Sequence, residues 1–393
     1  MTGAASGSTS LELRVLSRVS EVPKETWDAC VGEAGSPFVE WTWLDCMEEA
    51  GCVGGAGDHA HGWTPAHLEL TDVGGPERRL LAFAPGYVKT NSEGEFVFDW
   101  SWADLARRMG LRYYPKLLVA APFSPVTGER VLVAPGADRA TTIGAMAAAV
   151  RTLAVETGCS SAHALFLREE EARGWESAGY MRRSGVQYHW HNQGYGTFED
   201  FLSTFKSKRR NQIRREAAQP DKDGVRIETL RGDRITPEIV HAMYRFYLTT
   251  VDKFVWGRRY LNERFFELVA ERFRDRLAWV MAFKGDEPIA GAFNVQKGDR
   301  LYGRYWGATA ELPFLHFNVC YYHGIRECIA QGLSVFEPGA GGEHKLARGF
   351  RPTEMHSAHY VHNARLRHIV EDFVLREREA VARFVADPSG EEP

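Results

Sequence analysis

The sequence predicts an α/β protein with mixed sheets, divided into two similar halves. Three observations carry that reading. At 393 residues the chain exceeds what one ordinary core organises. Apolar residues recur at strand spacing in some stretches and at helical spacing in others, interleaved along the whole length. The same order of elements also runs twice, although no residue-level repeat is visible.

In the first half, "LELRVLSRVSEVP" alternates Leu11, Leu13 and Val15 as a strand, and Pro23 opens a helix carrying Trp27. "SPFVEWTWLDCMEEAG" sets Phe38, Trp41, Leu44 and Met47 at helical spacing up to Gly51, where a Gly- and His-rich loop begins. "AHLELTD" and "RLLAFAPGYVKT" read as strands around the turn "VGGPE", followed by "EFVFD" beside an aromatic cluster of Trp100, Trp102, Tyr113 and Tyr114. "KLLVAAPFSPVTGERVLV" is strand, turn, strand; "RATTIGAMAAAVRTLAVETG" is a helix closed by Gly158. "SAHALFL" is a buried strand, "EEEARGWESAG" a helix and "VQYHWHN" a strand.

The second half opens with one helix over 198–219, then the strand "VRIETL" and helices around "PEIVHAMYRFYLTTVD" and "NERFFELVAERF". Three strands follow, "LAWVMAFK", "PIAGAFNVQKG" and "RLYGRYWGA", with turns at Gly285-Asp286 and Gly298-Asp299. "FLHFNVCYYHGIRECIAQG" is a helix, "SVFEPG" a strand, "GEHKLARGF" a loop or short helix, "TEMHSAHYVH" a strand and "NARLRHIVEDFVLREREAVARFV" a terminal helix. The expected domains are 1–195 and 196–393, the second carrying a basic helix over 203–219.

Composition sets limits on function. With 44% hydrophobic and 25% charged residues the chain is a folded globular protein. No apolar run approaches the roughly 20 residues of a membrane helix, and "MTGAASGSTS" lacks the basic and apolar regions of a leader, so a cytoplasmic protein is expected. Six cysteines without C-x-x-C spacing fit reduced thiols. His189 and His191 share a strand face, but no third ligand accompanies them and no metal is expected. A formal net charge of −4 means that any polyanion must meet a local patch, and "FKSKRRNQIRRE" supplies one with Lys206, Lys208, Arg209, Arg210, Arg214 and Arg215. On a helix these cations wrap most of the circumference, while Phe201, Leu202, Phe205 and Ile213 make the packing contact. Such a helix is a polyanion site or a solvated surface helix.

The order of elements resembles the GNAT acyltransferase fold, and two such halves in one chain resemble the FemAB family of N-acyltransferases, in particular its peptidoglycan biosynthesis or recognition group. The residues that carry the resemblance include "FVFDWSWAD", "RYYPKLLVAAPFSPVTG", "QYHWHN", "FLSTFKSKRRNQIRRE", "YGRYWGA", "PFLHFNVCYYHGI" and "FEPGAGGEHKLARGF", and they extend over nearly the whole chain. The resemblance implies tandem GNAT-like domains and transfer of an acyl or aminoacyl group onto an amine of a small molecule or a cell-wall precursor.

Acyl transfer to an amine needs an activated donor, a neutral amine and hydrogen-bond donors for the tetrahedral oxyanion, but no enzyme nucleophile. The chain has no G-x-S-x-G elbow, and Lys345 in "GAGGEHKLARG" is followed by Leu, which rules out a P-loop. Glycines in that loop allow close backbone approach, and Glu343, His344, Lys345 and Arg348 add a carboxylate, an imidazole and two cations. By the resemblance, Lys345 and Arg348 ahead of Gly349-Phe350 help to bind the acceptor or steady the transition state. His344 is the expected general base and Glu343 the next candidate, with an imidazole of ordinary pKa about 6.5 suited to take a proton from an ammonium. "YGRYWGA" sets Arg304 and Trp306 on one strand face and Tyr305 on the other, next to a helix bearing His316 in its first turn. Asp99 and Trp100 are candidates to hold a cationic or sugar-like acceptor, with a buried aromatic cluster as the alternative.

The basic helix suits a phosphate-bearing donor, aminoacyl-tRNA or acyl-CoA, bound without reading bases. Ordinary GNAT enzymes cradle the CoA pyrophosphate on a Gly-rich loop between a central strand and the next helix. Here that junction is "YWGATAELPFLHF", with too few glycines and no matching Arg or Gln, which tilts the expectation toward aminoacyl-tRNA. No tightly bound cofactor is expected. A non-catalytic module binding RNA or a glycan precursor is the reading from another class.

Overall fold

The computed structural model describes residues 10–55, 61–253 and 258–388. The chain forms two compact units, Met1–Gly185 with Glu354–Pro393, and Val186–Thr353.

The first unit opens with β1 (Leu11–Leu16), α1 (Lys24–Val31), α2 (Trp41–Glu49), β2 (Trp63–Pro65), β3 (His67–Asp72), β4 (Arg79–Ala84) and β5 (Gly86–Lys89). It continues with α3 (Trp100–Arg108), β6 (Lys116–Val119), β7 (Leu132–Val133), α4 (Arg139–Glu156), β8 (Ser161–Leu167) and α5 (Glu169–Ser177). Strands β1, β3, β4 and β7 make an antiparallel sheet in that order. Strand β5 pairs antiparallel with β2 and β6, whereas β6 pairs parallel with β8. A parallel pair needs a long crossover, which α4 supplies. Asp138 caps α4 by accepting from Thr141 N, and Ile143, Met146, Ala147, Val150 and Ala154 bury its face against Ala162 and Ala164 of β8. The segment 95–99 forms no strand. Lys116 Nζ lies 2.8 Å from Glu95 Oε2 and 2.5 Å from Asp99 Oδ2, so this stretch folds around a buried ammonium rather than along a sheet edge.

β9 (Met181–His191) leads into the second unit, which holds α6 (Phe198–Ser203), α7 (Ser207–Ala217), α8 (Gln219–Lys222), β10 (Val225–Leu230), α9 (Pro237–Val251) and α10 (Glu263–Arg272). Strands β11 (Trp279–Lys284), β12 (Glu287–Lys297) and β13 (Arg300–Ala308) follow, then α11 (Leu315–Phe317), a π-helical turn at Asn318–Tyr322, α12 (His323–Gln331) and β14 (Val335–Glu337). A 3-10 segment, Glu343–Arg348, precedes β15 (Arg351–Val361) and α13 (Ala364–Ala386). Strands β10 to β13 pair antiparallel in sequence order, β13 pairs parallel with β14, and β14 antiparallel with β9.

Three expectations differ from this arrangement. The helix expected over 198–219 is broken into α6, α7 and α8: the Ser203 and Thr204 hydroxyls bond back to Asp200 O and Phe201 O, and Lys206 turns extended. The helix expected over "FLHFNVCYYHGIRECIAQG" carries a π-helical turn that period alone does not reveal. The division expected at 195/196 falls instead after Gly185, and the chain from Glu354 onward belongs with the first unit. There Leu366, Val370 and Val374 of α13 share a core with Trp102 and Ala106 of α3. An amphipathic terminal helix shows in sequence that it covers something, not which unit it covers.

Candidate active site

The second unit places the candidate residues around one wedge. Parallel pairing of β13 with β14 stops after Arg300–Tyr302 against Val335–Glu337. Beyond it, a cavity of about 150 Å³ lies among Asn294, Arg304, Tyr305, Trp306, His316, Tyr321, Gly339 and Lys345. Gly303 and Gly339 permit the approach: a Cβ on Gly303 would sit 3.2 Å from Pro338 Cα, and one on Gly339 3.2 Å from Gly303 O.

Strand alternation puts Tyr305 opposite Arg304 and Trp306, yet all three line the cavity. The register pairs Phe293 with Tyr305 and Asn294 with Gly303, leaving Arg304 as the extra residue of a β-bulge. A bulge re-aims the side chains around it. Arg304 is half-buried as a residue with its Nε buried, its guanidinium lies 5.2 Å from the Tyr305 ring, and burial lowers its pKa.

His316 packs against Trp306 in a tilted arrangement, 4.4 Å between ring centroids, and lies 5.9 Å from His344. Burial first, and then the neighbouring His344, Lys345 and Arg348, push His316 down to about 4. His344 is also lowered, by burial and then by Lys345 and Arg348, and its Nε2 is 2.9 Å from Tyr321 Oη. Both imidazoles are therefore neutral at neutral pH and poorer bases than an ordinary histidine. Its lowered proton affinity makes His344 a weaker base than an ordinary histidine, and its Nε2 stands within hydrogen-bond distance of the Tyr321 hydroxyl. The Glu343 side chain lies outside the described residues.

Lys345 is 2% exposed, and its ammonium donates to Gly339 O at 2.6 Å and Ala340 O at 3.4 Å, bracing one wall of the wedge. Arg348 holds the scaffold rather than facing the cavity. Its Nε donates to Tyr322 Oη (3.0 Å), one terminal nitrogen to His344 O (2.9 Å) and the other to Glu216 Oε2 (2.9 Å), and it lies 3.4 Å over the Phe317 ring. Burial opposes ionisation of Glu216, but hydrogen bonds from Tyr322 and Gln212 and the charge of Arg348 hold it below the usual carboxylate range.

Glu216 belongs to α7, so the basic helix is fastened to the wall of the wedge. Asn318 donates to Glu216 O, and the rings of Phe201 and Phe205 lie where a Cβ on Gly349 would clash, 2.7 and 2.9 Å away. Around α7 and at its N-terminal end, Lys206, Lys208, Arg209 and Arg215 are exposed. Arg209 donates to Gln212, Arg210 to Ser207 Oγ at 3.4 Å, and Arg214 pairs with Glu199 at 3.1 Å. The Glu199 pairing neutralises one of the six expected phosphate ligands.

Asp99 and Trp100 belong to the first unit. Asp99 is 2% exposed and accepts from Lys116 and, at 2.7 Å, from Tyr113, so its carboxylate is committed to the fold, while Trp100 is 56% exposed. His189 and His191 stand 6.4 Å apart between ring centroids, and among the described residues no three His, Cys, Asp or Glu side chains group to hold a metal. Sequence reasoning missed Asn294, Tyr321 and Glu216. Asn294 leaves a signal, a lone carboxamide inside the apolar run "IAGAFNV".

This topology, with its wedge between parallel strands, defines a tandem GNAT-like fold. The chain belongs to the FemAB-like family: the family pattern described as peptidoglycan biosynthesis/recognition matches residues 18–393. The fold is similar to the C-terminal domain of a putative lysylphosphatidylglycerol synthetase from Agrobacterium fabrum, with TM-score 0.54, 11% identity, and coverage of 89% of this chain and 95% of that one. It is also similar to FemX, with TM-score 0.53, 11% identity and coverage of 89% and 98%. No curated protein sequence matches the chain. The family and the fold are those of acyltransferases, and that is the class of this enzyme. No described helix is long and apolar enough to cross a membrane.

Proposed function

We propose that the protein moves an aminoacyl group from aminoacyl-tRNA onto an amine of a small molecule or a cell-wall precursor, with the wedge of the second unit as the reaction site. The observation that carries this reading is the fastening of the exposed basic helix, through Glu216 and Arg348, to the loop that walls the cavity. A polyanion held on α7 brings its acyl end to the same loop. The donor carbonyl enters the wedge, where the Arg304 and Lys345 cations favour the oxyanion. The neutral amine attacks the carbonyl carbon; the C–N bond forms, the ester C–O bond breaks, and the departing ribose oxygen takes the proton released by nitrogen. The family description supports a cell-wall acceptor.

The turn ahead of α11 bears Glu311 and carries no Lys or Arg of its own, which favours tRNA over CoA. The test is binding of deacylated bulk tRNA, CoA and acetyl-CoA across salt concentrations. Affinity for tRNA should fall steeply with salt, with a slope reduced by about one for each of Lys208, Arg209 and Arg215 changed to Ala. Binding of CoA without a tRNA response would instead make this an acyl-CoA enzyme.

A further inference from the structure

A second cleft adjoins the wedge and is unlike it in chemistry. Its volume is about 830 Å³, and it shares Trp306 and His316 with the wedge, so this pair of packed rings stands at the junction of the two spaces. Its walls are Trp306, Ala308, Ala310, Leu312, Phe314 and Phe317, all half-buried, while the charged members Lys253 and Glu311 are exposed. Phe314 is held at φ 60°, a left-handed conformation that non-glycine residues seldom adopt and that clusters at functional sites. A volume of this size accommodates a drug-sized apolar group and far exceeds the need of a methyl or a hydrogen. Inside the rim that carries Lys253 and Glu311, these walls offer mainly apolar contact, which favours an apolar group over a charged one.

We infer that this cleft is the specificity pocket for the transferred group, and that the group is large and apolar, aromatic or branched aliphatic. The inference rests on the wedge being the reaction site. The donor carbonyl lies in the wedge and its apolar substituent passes the Trp306–His316 pair into the cleft. The chemistry is shared by an aminoacyl ester and an acyl thioester, so both serve as probes.

The experiment uses the full chain, bulk tRNA charged separately with phenylalanine, leucine, glycine or aspartate, and hexanoyl- or acetyl-CoA. Hydroxylamine is the common acceptor; it displaces the ribose hydroxyl or the thiol and yields a hydroxamate. Phenylalanyl or leucyl transfer should exceed glycyl and aspartyl transfer by at least about tenfold, or hexanoyl should exceed acetyl by as much, the scale that a few methylenes set in an apolar pocket. Ala310→Trp, which narrows the cleft, should depress the large groups at least tenfold more than glycyl or acetyl. Arg304→Met should depress all of them alike. Transfer that is lost in Arg304→Met but shows no apolar preference, or a preference unmoved by Ala310→Trp, overturns this inference and leaves the reaction site standing. Transfer that survives Arg304→Met overturns the reaction site. If no donor reacts, preferential binding of N-acetylphenylalaninamide over N-acetylglycinamide, abolished by Ala310→Trp, still supports the pocket, and its absence overturns it.

Discussion

Both units contain an antiparallel strand pair whose second strand then pairs in parallel across a helical crossover: β5, β6 and β8 around α4 in the first, β12, β13 and β14 around α11 and α12 in the second. After β6 the first unit keeps its own chain in the space that opens. Gly128 bridges Leu167 of β8, the Arg130 side chain is 0% exposed, and the fully buried Glu171 accepts from Arg130 N at 2.9 Å and Val131 N at 2.6 Å. Past the paired part of β13 the second unit leaves a wedge lined by Arg304, His316, Tyr321 and Lys345. The same topology thus yields a filled core in one unit and a polar cavity in the other, and the difference lies in whether the chain satisfies its own backbone there. Glu171 does so in the first unit. The second has a bulge, two close-packed glycines and a braced loop.

Predictions that break or sharpen this contrast follow in order of effect. Arg304→Met should lower enzyme-dependent transfer by about 10²–10³-fold with the melting temperature nearly unchanged, the scale of a lost oxyanion donor; steady-state rates with thermal melts check both parts. Arg348→Met removes the cation paired with buried Glu216, while the hydrogen bonds from Tyr322 and Gln212 remain, and should cost about 3 kcal/mol by urea unfolding. Because Glu216 titrates below its unfolded value, its contribution is present above the usual carboxylate pKa of about 4.3 and is lost as pH falls through the lower folded value. The gap between wild type and Glu216→Gln should therefore narrow at acid pH.

In the first unit, Glu171→Ala orphans two buried amides and should cost about 2–4 kcal/mol, with transfer per folded molecule kept within about twofold. Glu171 titrates in the opposite sense to Glu216, since burial raises it to about 7 against hydrogen bonds from the Arg130 and Val131 amides. A raised carboxyl contributes most below its unfolded pKa, so wild type should lose stability relative to Glu171→Gln as pH rises from about 4 to about 7, and both should run parallel above that. The smallest effect belongs to the exposed Arg214–Glu199 pair, where Glu199→Gln should leave unfolding unchanged and, by freeing a cation, strengthen tRNA binding at low salt.

Much of this was legible in the chain. The periods of α4, β8 and β11 to β13, the basic helix and the Lys345 loop all follow from local patterning, and the family resemblance supplied the plan. Three things were not. Arg304 reaches the cavity together with Tyr305 because of a bulge, and a bulge depends on the register of two strands rather than on the sequence of one. Arg348 and Asp99 look like binding residues until their partners Glu216, Tyr322, Lys116 and Tyr113 appear, brought there by contacts distant in sequence. The lowered affinity of His344 for a proton comes from burial and two neighbouring cations, which only the folded loop assembles.

The most direct test of the central claim compares aminoacyl transfer from charged bulk tRNA to hydroxylamine by wild type, Arg304→Met and Glu171→Gln, each first verified as folded by circular dichroism. The account predicts transfer by wild type and Glu171→Gln at similar rates and its loss in Arg304→Met. Transfer that persists in Arg304→Met, or that disappears in folded Glu171→Gln, would contradict the assignment of the reaction to the wedge of the second unit.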